Sequence, residues 1–323
     1  MSDPDDRAAA PESTTDRVPL AVGAVLVSVF ALSAGDAIIK LTSARFPIWQ
    51  IYVLRSLLVL PVLVVLLRWR EPDTPLAPTR ARWVLLRSAL LVSMWVAYYT
   101  ALPRIDLSLA AAAYYTSPLL IVLLSARLAG DRVGPVVWAA VALGFAGVLV
   151  MLRPGSVPFD AHVLLPLAAA LLYALAMIVT RARCVDESPL VLALALNLAF
   201  VAVGAVATTA GVVLAVSPAL EAANPFLFGP WTALGGPEAA AIAALGAAML
   251  IGSVGAAVAY QVGPAPVVAT FDYAYLVFAA LWGALLFAEV PDPMTLLGMA
   301  MIAAGGMLAV RGDRPRASPA RTG

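Results

Sequence analysis

Cysteine, histidine and lysine occur once each in 323 residues, and charged residues make up only 12% of the chain. The lone cysteine, Cys184, excludes an internal disulfide framework and a CxxC metal site. The lone histidine, His162, excludes an HExxH-type centre. No Walker-type loop is present, which argues against a nucleotide-driven pump. Without GxSxG, and with one His and one Cys, an intramembrane enzyme has almost nothing to build with. No cofactor is implied and nucleic acid is not an expected partner. A net charge of +1 is uninformative.

Apolar residues are in excess. The chain is 63% hydrophobic with a mean hydropathy of +0.95, where ordinary globular domains are roughly 45–50% apolar and about 25% charged. Such a chain must dissolve in lipid. A bilayer core about 30 Å thick takes roughly 20 apolar residues per helix, and runs of that length follow one another from Val18 to Val310. Lipid cannot satisfy backbone groups, and the runs lack the alternation of a membrane barrel, so they read as helices. Bounded by charge, Pro or Gly, ten are expected, at about 18 to 40, 47 to 67, 83 to 102, 107 to 128, 134 to 152, 161 to 180, 189 to 215, 239 to 262, 265 to 287 and 293 to 310. The first 17 residues, acidic and rich in Pro, Ser and Thr, read as a disordered tail and not as a signal peptide. Residues 312–323 form a second tail.

The basic residues orient the chain. With the N-terminus cytoplasmic, fourteen arginines (Arg7, Arg17, Arg68, Arg70, Arg80, Arg82, Arg127, Arg132, Arg181, Arg183, Arg311, Arg314, Arg316 and Arg321) lie on the cytoplasmic side. Only Lys40, Arg45, Arg104 and Arg153 lie opposite. That bias places both termini in the cytoplasm, and the loop Ser217 to Pro237 outside.

An internal repeat divides the chain at about 155. Residues 114–153 align without a gap on residues 272–311, bringing Tyr115 onto Tyr273, Asp131 onto Glu289, Pro135 onto Pro293, Gly147 onto Gly305 and Arg153 onto Arg311. Each half, 18–155 and 156–311, carries five helices. An odd number makes the second half enter the membrane from the opposite side, so the repeat is inverted, as in many secondary transporters. The expected fold is an all-α membrane protein of ten transmembrane helices in two inverted five-helix repeats.

Three segments carry a family resemblance: ALSAGDAIIKLTSARFPIWQIYVLRS in the first two helices, SPLLIVLLSARLAGDRVGPVVWAAVALGFAGVLVMLRPG closing the first half, and FDYAYLVFAALWGALLFAEVPDPMTLLGMAMIAAGG closing the second. In their order and spacing the chain resembles the drug/metabolite transporter superfamily, and within it the EamA-type ten-helix permeases. The resemblance implies secondary transport of a small molecule across a bacterial inner membrane without ATP hydrolysis, with substrates from amino acids to nucleotide-like metabolites. Asp36 and Lys40 followed by Arg55 are similar to permeases assigned to S-adenosylmethionine uptake and, more distantly, to riboflavin uptake. The chain departs from the pattern in having Asp131 where Glu is commoner and no charge in the sixth helix to mirror Asp36.

An ionisable side chain inside the bilayer is a functional candidate, because it costs about 2.5–3.5 kcal/mol at a helix centre on translocon scales. Lys40 lies four residues after Asp36, a spacing that permits an ion pair; its alternative is to snorkel at the outer end of the first helix. Asp36 is either a substrate ligand or a structural partner of Lys40 or Arg55. Arg55, near the middle of the second helix, must face a partner or water. Arg87 is close enough to a helix end to snorkel. Asp272 could bind a cationic group, carry a proton or pair with Arg55 or Arg87. The repeat-related Tyr115 and Tyr273 are symmetric contacts or packing aromatics. Trp95, Tyr99, Tyr114, Gln261 and Tyr275 bring ring faces and polar tips into aliphatic helices. Asp131 and Glu289, at helix ends, are better explained by capping or loop contacts. Three cations, Lys40, Arg55 and Arg87, against two acids, Asp36 and Asp272, lean toward a zwitterionic or anionic substrate. The glycines of residues 144–147 and 298–306 mark close helix packing, within the chain or across a dimer. The partners expected are a small-molecule solute and the lipid bilayer, with the chain a monomer or homodimer. A lipid scramblase or receptor is the alternative function on the same fold.

Overall fold

The computed structural model describes residues 18–128, 134–153, 160–262 and 265–312; Asp131 and both tails lie outside them. The first half contains α1 (Val18–Thr42), α2 (Ile48–Arg70), α3 (Ala81–Ala101), α4 (Leu107–Tyr114), α5 (Ser117–Leu128) and α6 (Pro135–Leu152). A 3-10 turn at Ala161–Val163 then leads into α7 (Leu164–Arg183) and α8 (Pro189–Val213). The short α9 (Pro218–Ala223) and α10 (Pro225–Phe228) lie in the long loop, followed by α11 (Gly236–Val262), α12 (Ala265–Asp272), α13 (Ala274–Phe287) and α14 (Pro293–Gly312). No strand occurs among the described residues. Six helices are long and apolar enough to cross a membrane, and the apolar helices at Leu107–Ile121, Trp138–Leu152, Ala274–Phe287 and Pro293–Leu308 are shorter. Leu58, Val65, Leu85, Val206 and Leu285 point outward and are more than half exposed, a surface suited to lipid.

Two apolar runs expected as single helices are interrupted. The run from Leu107 breaks at Tyr115 and Thr116, where Pro118 lacks the N–H that would bond back to the Tyr114 carbonyl. The run from Ala265 breaks at Tyr273 with no proline nearby; Tyr273 keeps a near-helical φ of −64° but its ψ is −11°. The helices preceding the breaks, α4 and α12, have the same length and the same offset (265 − 107 = 158 and 272 − 114 = 158). That is also the offset between Tyr115 and Tyr273.

Packing pairs α6 with α14, α1 with α11, α3 with α7 and α2 with α8, while α1 also meets α13 and α7 meets α5. The α6–α14 contact is the tightest. A Cβ added to Gly147 would lie 2.7 Å from the Gly298 carbonyl oxygen, and one added to Gly298 would lie 2.6 Å from that of Gly147. Small residues let the two backbones touch. The Gly-rich stretches therefore pack against each other within one chain.

Polar side chains tie the ends of the bundle. Lys40, at the end of α1, forms an ion pair with Glu289 and donates to the Ile105 carbonyl at 2.6 Å. Glu289 also accepts from the Leu107 amide at 2.9 Å, which caps α4. Nearby, Arg153 pairs with Asp292, whose carboxylate caps α14 through the Met294 amide at 2.8 Å. The long loop is clamped to the start of α2: Gln50 donates to the Thr232 carbonyl at 2.7 Å and accepts from its amide at 2.9 Å. In the loop between α7 and α8, Glu187 accepts from the Thr79 hydroxyl at 2.7 Å and the Arg80 amide at 2.6 Å. Burial works to raise the Glu187 pKa, but these bonds outweigh it and hold the carboxyl below its usual range.

Gly147→Ala presses a methyl carbon against the α14 backbone and is expected to lower the thermal unfolding midpoint in detergent, an overpacking penalty of about 1–3 kcal/mol. Gly23→Ala, with nothing within 4 Å, is expected to hold or raise that midpoint. In the same assay Glu289→Gln leaves Lys40 with only the Ile105 carbonyl and is expected to cost about 1–3 kcal/mol, less than breaking a fully buried pair. Adding Lys40→Met to Glu289→Gln should recover part of that loss; an additive double mutant would refute the pairing.

Candidate functional site

Asp36 and Arg55 are each 4% exposed, on the adjacent helices α1 and α2. Helix pattern alone drives them inward, because a charged group on the lipid face is the costliest placement available. They line one small cavity of about 30 Å³ together with Trp95 and Tyr99 of α3 and Leu245, Ala248 and Met249 of α11. That volume suits one water molecule. Four residues chosen from the sequence, Asp36, Arg55, Trp95 and Tyr99, thus meet at a single place, contributed by three helices of the first half and walled by one helix of the second.

The Asp36 carboxylate accepts a hydrogen bond from the Tyr275 hydroxyl of α13, and the Tyr98 and Tyr275 hydroxyls are 3.3 Å apart. The Arg55 guanidinium sits 4.9 Å from the Phe200 ring and 5.7 Å from the Tyr52 ring, positions where ring quadrupoles attract a cation. Its Nε and Nη2 atoms are buried without a hydrogen-bond partner. No ion pair among the described residues includes Arg55 or Asp36.

Ring contacts extend from this cavity through both halves. Tyr275 stacks on Tyr115 at 4.9 Å, and Tyr115 meets Tyr273 edge-on at 5.5 Å, so the repeat-related tyrosines touch each other at the two helix breaks. Tyr98 contacts Tyr114 at 5.3 Å, and Tyr114 contacts Tyr173 of α7 at 5.8 Å. On the other flank Trp95 meets Tyr99 at 4.8 Å, and Tyr52 meets Phe200 at 4.7 Å. Tyr52, Tyr98, Tyr173 and Phe200 were not among the residues expected from sequence. Tyr52 carried a usable signal, lying three residues before Arg55 on the same helical face.

The remaining candidates separate from the cavity. Lys40 is engaged by Glu289, so the pair with Asp36 that the spacing permits does not form. Asp272 ends α12, half-buried, and its backbone carbonyl accepts from the Tyr115 hydroxyl at 3.4 Å. Arg87 donates to the Thr180 hydroxyl at 2.9 Å and forms no ion pair with Asp272. Gln261 is on α11, but its side chain is outside the described residues. A larger groove of about 630 Å³ between α1 and α11 is lined by residues such as Leu20, Val27, Ile251 and Val254 and has no ionisable side chain. It suits lipid and lies apart from the charged cavity.

Comparison with known proteins agrees with this architecture. Residues 19–153 match the EamA-like transporter family. The chain is 27% identical over 280 residues to the pseudopaline exporter of Pseudomonas aeruginosa (strain UCBPP-PA14), covering 86% of this chain and 91% of that one. It is 38% identical over 102 residues to the riboflavin transporter of Rhizobium johnstonii, covering 32% of this chain and 33% of that one. A solved crystal structure 21% identical to it superposes with a TM-score of 0.57, over 91% of this chain and 96% of that one, a likeness of fold. The chain is a multi-pass protein of the bacterial inner membrane, and its residues 19–153 carry the likeness to the EamA-like transporter family.

Proposed function

We propose that this protein is a secondary transporter that moves a small polar metabolite, amino-acid-like, S-adenosylmethionine-like or flavin-like, by alternating access. In this reading ten transmembrane helices form two inverted five-helix repeats with both termini cytoplasmic. The observation that carries it is the cavity between α1, α2, α3 and α11: two opposite, unpaired charges and two aromatic faces enclosed where the first half meets the second. Buried charges left without ionic partners are a poor use of folding energy and a good use of binding energy.

The repeat is supported by the packing. Exchanging the halves turns the α1–α11 contact into α7–α3 and the α1–α13 contact into α7–α5, while α2–α8 and α6–α14 map onto themselves. A site at the junction of such halves opens to either side when one rocks against the other. The broken helices, α4–α5 and α12–α13, place their interruptions beside the cavity through Tyr115 and Tyr275. Interrupted helices recur at the binding sites of such carriers. On the side holding the α1 C-terminus, the Lys40–Glu289 pair then acts as a latch that must part for opening.

The test is counterflow in proteoliposomes with labelled S-adenosylmethionine, a set of amino acids and riboflavin. Wild-type protein should give saturable flux for at least one solute, Asp36→Asn, Arg55→Gln and Tyr275→Phe should lower it at least tenfold, and Arg87→Gln should leave it. Folded wild-type protein that moves none of them would sink the proposal, and unaltered flux in the first three variants would remove those residues from the site.

A further inference from the structure

Three other cations of the bundle have acceptors. Lys40 has Glu289 and the Ile105 carbonyl, Arg153 has Asp292, and Arg87 has the Thr180 hydroxyl and the Leu192 carbonyl. Arg55 differs in which atoms it leaves open. Nε and Nη2 both lack partners, and these two nitrogens form one edge of the planar guanidinium, with parallel N–H bonds spaced to meet both oxygens of a carboxylate. The Tyr52 and Phe200 rings lie 5.7 and 4.9 Å from the guanidinium carbon and supply no hydrogen-bond acceptor to those two nitrogens.

We infer that the transported solute carries a carboxylate that docks bidentately on the Nε–Nη2 edge of Arg55, and a cationic group, such as an ammonium, that meets Asp36 across the same cavity. The substrate class is therefore a zwitterion of the α-amino-acid type. Charge balance selects it: one cation and one anion line the cavity, so a net-neutral solute with separated charges leaves nothing uncompensated. A free cation would leave Arg55 without a counter-ion, and a phosphate dianion would face Asp36. The Tyr275 hydroxyl, with those of Tyr98 and Tyr99 beside it, takes part of Asp36, and a carboxylate has about four acceptor sites in all. Trp95 and Tyr99 supply flat apolar walls for the rest of the solute. With room for about one water in the cavity, a solute enters only when the helices around it move apart.

This inference rests on the transport reading, and the experiment separates the two. Full-length protein in proteoliposomes is assayed by counterflow with L-methionine, S-adenosylmethionine, methionine methyl ester, methionine amide, N-acetylmethionine and riboflavin. A zwitterion should be carried, the ester and amide should be weaker by about 100-fold or more, and N-acetylmethionine should be weaker than methionine. Arg55→Lys should keep part of the flux and Arg55→Gln none. Flux of riboflavin without any zwitterion, equal transport of acid and ester by the wild type, or an unchanged KM in Arg55→Gln would overturn the inference and leave transport standing. No flux of any solute by folded wild-type protein would overturn both. The acid-to-ester comparison uses wild-type protein alone, so it decides the matter even if an Arg55 variant fails to fold.

Discussion

A guanidinium shielded from lipid and held without a counter-ion is the costliest object in this structure, and much of the surrounding arrangement answers to it. Arg55 cannot face the bilayer, so α2 must turn that side toward the bundle, where it packs on α8 and α11. There Phe200 and Tyr52 give it polarisable ring faces, and Asp36 on α1 shares its cavity without closing on it as an ion pair. The Tyr275 hydroxyl holds Asp36 in place. Apart from Tyr52, which shares α2 with Arg55, each of these contacts brings in another helix, linking α2 with α1, α8 and α13. Two other interior contacts are made by simpler means: Ser28 donates to the Gly252 carbonyl at 2.6 Å and Trp282 donates to the Ser33 hydroxyl at 3.2 Å.

The positions of the helices were legible because lipid imposes a length and forbids unsatisfied backbone. The run read as 18 to 40 is α1 at Val18–Thr42, and the run read as 83 to 102 is α3 at Ala81–Ala101. The helix breaks were not anticipated. Pro118 offered a signal at the first, but no proline or glycine adjoins Tyr273 to mark the second. The candidate site was partly legible for the same reason. Polar and aromatic groups stand out in aliphatic runs, which brought Asp36, Arg55, Trp95 and Tyr99 forward. For Lys40 the sequence offers a permitted pair with Asp36, four residues away, or snorkelling, whereas its flexible stem reaches Glu289, 249 residues along the chain. Local spacing states what is possible and cannot see such a competitor.

The glycine contact shows a second constraint. Backbone approaches backbone between α6 and α14, with Gly305 adding a third close point, 2.7 Å from the Ala140 carbonyl oxygen to its built Cβ. Few side chains intervene there, so little can repack, and these two helices are suited to stay together as other contacts change. Around the cavity the opposite holds. Leu245 and Met249 of α11 are unbranched at Cβ and can rearrange, and the walls they meet are rings that slide more readily than interlocked backbones.

The Lys40 tie has a consequence outside energetics. Because this is the chain's only lysine, its ε-amine is the sole side-chain primary amine in the protein. Its side chain is only 9% exposed while the ion pair holds. Reactivity toward an amine-selective reagent at that position therefore reads out one event, the parting of α1 from the loop before α14, with no background from other side chains. The scarcity of charge that marks the sequence leaves the molecule with a built-in reporter on its own opening.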